Sequence, residues 1–94
     1  MYTIPDHVLT AHLPGEAVLL HMRTKRYYRL NDTGATIWRG IEEGLGRAEL
    51  LARLCEEFSV EPDEAASELD RIVGELAGES LLELGQTGQT DEAR

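Results

Sequence analysis

One cysteine, no long apolar run and no glycine-rich phosphate motif: this sequence is defined first by what it lacks. Cys55 stands alone, so no internal disulfide can form, which fits a reducing cytoplasm. No stretch of about eighteen apolar residues exists, so no membrane-spanning helix is expected. Met1-Tyr2-Thr3-Ile4-Pro5-Asp6 has no basic region followed by an apolar one, unlike a secretory signal. There is no phosphate loop, no dinucleotide-binding turn and no metal motif. His7, His12 and His21 are scattered, with no partner at ligand spacing. No cofactor and no metal are therefore expected.

What is present is one small domain of 94 residues with net charge −9. A chain this short buries roughly two-thirds of its unfolded surface, which leaves little room for a deep enclosed active site. The charge is uneven. Residues 1–41 carry five basic and three acidic side chains, whereas residues 42–94 carry four basic and fifteen acidic. Arg23, Lys25, Arg26 and Arg29 crowd one short region. Such a two-signed surface can orient a charged partner.

Around Arg26-Tyr27-Tyr28-Arg29-Leu30-Asn31-Asp32-Thr33-Gly34-Ala35 the chain changes character. Before it, β-type residues predict three short strands, over His7–Leu13, Ala17–Met22 and Arg26–Asn31. Pro14-Gly15 supplies a turn between the first two, and Arg23-Thr24-Lys25 a hairpin link without the usual glycine. Short links favour an antiparallel meander. After it, three helices are predicted. Asn31 caps the first, with Asp32 in its first turn, and it runs to about Glu43 before Gly44. The second spans Arg47–Phe58, with Leu51, Leu54, Cys55 and Phe58 on one face. The third opens at Pro62 and runs to about Ala77, with Ala65, Ala66, Leu69, Ile72, Val73 and Leu76 forming its apolar stripe. Ser80–Leu84 adds a short apolar segment. Residues 1–6 are expected to be a flexible arm, 7–84 the domain, and 85–94 a disordered acidic tail. The fold class is α+β: a three-stranded antiparallel sheet followed by three helices, like a small winged helix.

Catalytic candidates are few. Cys55 falls on an apolar stripe beside Glu56 and Glu57, a poor setting for a nucleophile. Glu42-Glu43 and Glu56-Glu57 are adjacent on helices and do not face each other. Trp38 falls at core spacing. Duplex DNA is disfavoured too. From Pro62 to Glu79 six acidic residues oppose Arg71 alone, whereas DNA affinity comes largely from neutralising phosphates. What remains is a groove between an edge strand and the third helix. An edge strand exposes unpaired backbone groups, to which an extended peptide can add as a further strand.

The runs Glu16-Ala17-Val18-Leu19-Leu20 and Arg26-Tyr27-Tyr28-Arg29-Leu30-Asn31-Asp32-Thr33-Gly34-Ala35-Thr36-Ile37-Trp38, with Leu50-Leu51-Ala52-Arg53-Leu54 and Val60-Glu61-Pro62 at their spacing, resemble the PqqD-like family. These are recognition elements for ribosomally made, modified peptides, and the double tyrosine and the tryptophan resemble the lasso-peptide branch. The resemblance covers about residues 7–84. It implies a non-enzymatic domain that binds the leader of a precursor peptide. The protein would then present that precursor to a cysteine protease that removes the leader and to an asparagine-synthetase-like cyclase. Carried onto this chain, the peptide site is Arg26, Tyr27, Tyr28, Arg29 and Leu30 on the strand, with Ala66, Leu69, Asp70, Val73 and Ala77 on the helix. The alternatives are a docking subunit of a larger enzyme, using its acidic helical surface, and a winged-helix DNA-binding protein.

Overall fold

The computed structural model describes residues 2–84. Its elements in chain order are β1 (Tyr2–Thr3), β2 (Val8–Leu13), β3 (Glu16–His21), β4 (Arg26–Leu30), α1 (Asp32–Glu42), α2 (Arg47–Phe58), α3 (Pro62–Gly78) and β5 (Glu83–Leu84). The meander is an antiparallel sheet in the order β2-β3-β4. Its register runs from Val8 opposite His21 to Leu13 opposite Glu16, and from Ala17 opposite Leu30 to His21 opposite Arg26. The tight turn at Gly15 uses a φ of +72°, which glycine adopts without a Cβ penalty. At the β3–β4 link Lys25 itself takes a φ of +65°. Its N–H donates to the His21 carbonyl at 2.7 Å, and the Arg26 N–H donates to Thr24 Oγ1. This closes the hairpin without the missing glycine.

Side chains alternate across the sheet. Ala17, Leu19 and His21 face the helices and are buried. The opposite face is not covered among the described residues. Leu9, Leu20 and Tyr27 form one cross-strand row there, and Leu9, Leu13, Met22 and Tyr27 are exposed.

α1 is the central helix. The Asn31 side chain accepts from the Gly34 N–H at 3.0 Å, and Gly34, Ala35, Thr36, Ile37, Trp38, Gly40 and Ile41 are all buried. Trp38 has no exposed surface, and its Nε1–H donates to Thr10 Oγ1 at 2.9 Å, so its one polar atom is satisfied. A Cβ on Gly40 would fall 2.4 Å from Leu50 Cδ2; the glycine lets α1 and α2 approach closely. The buried face of α2 is centred on Leu50 and Leu54. Leu51, Cys55 and Phe58, expected on the buried stripe with Leu54, are partly buried and packed against the core, and Leu50, one position earlier, is buried with Leu54. The α3 stripe is buried as predicted at Ala65, Leu69, Ile72, Val73 and Leu76, with Ala66 at its margin.

One expectation changes. The segment 1–6, expected as a flexible arm, contains β1, which pairs antiparallel with β5, Tyr2 opposite Leu84 and Thr3 opposite Glu83. Both strands are two residues long, too short for alternation to announce them. The tail expected over 85–94 lies outside the described residues. No helix among the described residues is long and apolar enough to cross a membrane.

Candidate functional site

β4 is an edge strand. One side pairs with β3, and the other has no strand partner among the described residues. α1 packs on β3 and β4, and α3 packs on α2. A gap is thereby left between β4 and α3, and three open depressions run along it. The first, of about 470 Å³, is lined by Tyr28, Arg29, Leu30, Glu75, Leu76, Gly78, Glu79 and Leu81. The second, of about 240 Å³, shares Arg29, Leu30, Glu75 and Leu76 with it and adds Asn31, Gly34, Arg71 and Ile72. The third, of about 230 Å³, continues past the strand end under Thr33, between Leu54, Phe58 and Val60 and the α3 residues Glu64, Ala65 and Glu68.

The α3 positions in these three depressions are 64, 65, 68, 71, 72, 75, 76 and 78, and the C-cap residue Glu79 extends them. That is the i, i+4, i+7, i+8 spacing of one helix face. From Glu64 to Glu79 it extends about 22 Å at 1.5 Å per residue, room for roughly seven residues of extended chain. The floor is apolar, with Leu30, Ile72, Leu76 and Leu81. The helix wall is acidic, where Glu64, Glu68, Glu75 and Glu79 stand against Arg71 alone, net −3. Arg71 is held between Glu68 and Glu75, and the hydrogen bond it donates to Glu68 does most to push its guanidinium pKa up. The Tyr28 hydroxyl donates to Glu79 Oε1 at 3.0 Å, crossing from strand to helix. Arg29 turns to Glu16 on β3, at 2.7 Å.

The strand residues predicted for the site divide. Tyr28, Arg29 and Leu30 line the gap, whereas the side chains of Arg26 and Tyr27 line none of its depressions. Tyr27 points to the uncovered sheet face and is 72% exposed. The helix residues expected at the site, Ala66, Leu69, Asp70, Val73 and Ala77, line none of the three depressions. Leu69 and Val73 are core. Asp70 is bound to Arg47 of α2 at 2.9 Å, which holds its carboxyl below the usual carboxylate range. Ala77 lies with Pro5, His7, His21 and Ser80 on the other side. The reason is helix phase. The apolar stripe of α3 has two flanks, and periodicity does not say which one meets β4. Arg71, Ile72, Glu75, Leu76 and Glu79, which line the depressions, sit on the other flank. Their signal was the Glu68–Arg71–Glu75 spacing, which marks a face whose charges satisfy one another on their own helix.

The three histidines do not converge. The His7 ring lies 4.4 Å from that of His21 and donates from Nε2 to the Ser80 carbonyl. His21 Nδ1 accepts from the Thr24 N–H, and His12 meets Glu42 at 2.7 Å. No group of three or more metal-ligating side chains is found among the described residues.

Two solved structures resemble this arrangement. "TbiB1 in Complex with the TbiA(beta) Leader Peptide" is 36% identical, covers 89% of this chain and 98% of its own, and superposes with a TM-score of 0.83. "Lasso peptide synthetase B1 complexed with the leader peptide" is 25% identical, covers 88% and 98%, and gives 0.81. No curated protein matches the chain. The family model for coenzyme PQQ synthesis protein D (PqqD) matches residues 16–82. That match spans well over half of the sequence, and the chain belongs to the PqqD family.

Proposed function

We propose that this protein binds, without catalysing a reaction, the leader segment of a ribosomally made precursor of the lasso-peptide type. The leader adds as a strand to the free edge of β4 and packs its inward side chains against Leu30, Ile72 and Leu76. The observation that carries this reading is the unpaired edge of β4 running beside an apolar floor of Leu30, Ile72, Leu76 and Leu81. Main-chain hydrogen bonds along such an edge give affinity, and the depressions beside it give selectivity. The likeness to two chains described as complexes with leader peptides supports it. In this reading Arg26 and Tyr27 contribute backbone rather than groove-lining side chains. The protein acts in the cytoplasm and presents the bound precursor to a leader-removing cysteine protease and an asparagine-synthetase-like cyclase.

A docking role for the same chain is favoured by a specific observation. Among the described residues, three of the five exposed large apolar side chains, Leu9, Leu13 and Tyr27, lie on the uncovered sheet face, and exposed apolar side chains gathered on one face mark an interaction surface. The sheet, rather than the acidic helices, is then the surface for pathway enzymes. Duplex DNA is disfavoured, because the helix wall of the groove carries net negative charge.

The test is fluorescence anisotropy with the labelled leader of the precursor encoded nearest this chain's gene. Saturable binding at or below about 1 μM, roughly −8 kcal/mol, is expected, with a scrambled peptide failing to compete. No saturation by protein shown to be folded overturns the reading.

A further inference from the structure

The depression beyond the end of β4 differs from the other two. It has no strand edge, since Thr33 already belongs to α1. A peptide that leaves β4 at Leu30 and continues along α3 loses its backbone partners there and must be held by side chains. The depression supplies apolar atoms from Leu54, Phe58, Val60 and Ala65, and two carboxylates from α3 at its mouth, Glu64 and Glu68. Glu68 is tied to Arg71. Glu64 has no cation within ion-pair distance among the described residues. The next carboxylate along the same wall, Glu75, shares Arg71 with Glu68.

We infer that the peptide taken by this groove carries a lysine or arginine beside the apolar side chain that enters this depression, and that Glu64, backed by Glu68, selects it. The inference rests on the leader-binding reading above and names the chemistry of the ligand at one end of the site. Two physical arguments carry it. The depression lies farther along the same face of α3 as the groove, so a chain that passes Leu30 and follows that face reaches it. The wall is net negative and Arg71 is already shared by two glutamates, so an acidic residue at this point finds repulsion and no free cation. Opposite charge at a fixed position adds selectivity by excluding wrong partners as much as by attracting the right one.

The experiment is a charge-swap cycle using the labelled leader named above, single-site variants of it in which each lysine or arginine is replaced by glutamate, and the full chain with Glu64→Lys, Glu64→Gln or Glu64→Lys/Glu68→Lys. One leader variant is expected to bind wild-type protein about fivefold more weakly, the upper range for a solvent-accessible ion pair, and to recover most of that loss with Glu64→Lys. Glu64→Gln should weaken the parent leader by less than Glu64→Lys does. Equal binding of all leader variants, recovery at none of them, or a tightly bound leader with no basic residue overturns the inference while leaving leader binding itself intact. Failure of the parent leader to bind folded wild-type protein overturns the underlying reading. Circular dichroism of the double variant separates lost selectivity from lost fold.

Discussion

The two flanks of the α3 stripe differ in charge and in fate. On one, Ala66, Asp70, Val73 and Ala77 turn toward α2 and the N-terminal segment; Asp70 is taken up by Arg47, and Val73 is 6% exposed. On the other, Glu68, Arg71, Ile72, Glu75, Leu76 and Glu79 border β4, and their charges are paired within α3 or with Tyr28. The first flank spends its polar groups on holding elements together, whereas the second leaves a strand edge and an apolar floor open. The carboxylate of Asp70 is ion-paired across elements, whereas those of Glu68 and Glu75 are ion-paired with Arg71 along their own helix.

Substitutions that treat the two flanks alike should separate them. The largest effect is expected from Val73→Arg, which places an uncompensated charge in the core at a cost of about 3–5 kcal/mol. In a domain this small that is a large part of the total stability, so thermal or urea unfolding should show a collapsed transition. A folded Val73→Arg protein with blocked leader binding would instead return Val73 to the groove. Next is a matched pair. Glu75→Trp puts bulk between the two larger depressions and is expected to weaken leader binding at least tenfold, about 1.4 kcal/mol. Asp70→Trp on the closed flank should leave the dissociation constant within twofold. Equal losses from both would erase the distinction between the flanks.

The smallest effect concerns acid stability. Arg47 lowers the Asp70 carboxyl pKa, and Arg53 lowers that of Glu43, in each case mainly by a side-chain hydrogen bond. A carboxylate depressed in the folded state contributes stability that is present above its unfolded pKa and lost as pH falls through the folded value. Asp70→Asn should therefore flatten part of the acid limb of the stability curve, read by urea midpoints between about pH 6 and pH 3, with leader affinity at neutral pH unchanged.

The contrast also explains what was legible in the sequence. The strands, the Asn31 cap, the Pro62 start and the apolar stripe of α3 depend on local pattern, and the chain carries those patterns plainly. The groove flank depends on helix phase relative to β4. That phase depends on packing between elements, such as Arg47 of α2 against Asp70 of α3, which the period of one helix does not contain. The β1–β5 pairing was invisible for a similar reason, being two residues against two across the whole chain. The hairpin at Lys25 hid its left-handed turn in a residue other than glycine.

The most direct test of the central claim is residue-resolved amide NMR of ¹⁵N-labelled protein with and without saturating leader. Strand addition predicts new hydrogen-exchange protection at alternate amides of Arg26–Leu30, with shift changes at Arg71, Ile72, Glu75, Leu76 and Glu79 and none at Ala66, Asp70 or Ala77. Saturable binding that leaves the β4 amides exchanging as before, or that perturbs Ala66, Asp70 and Ala77 instead, would contradict it.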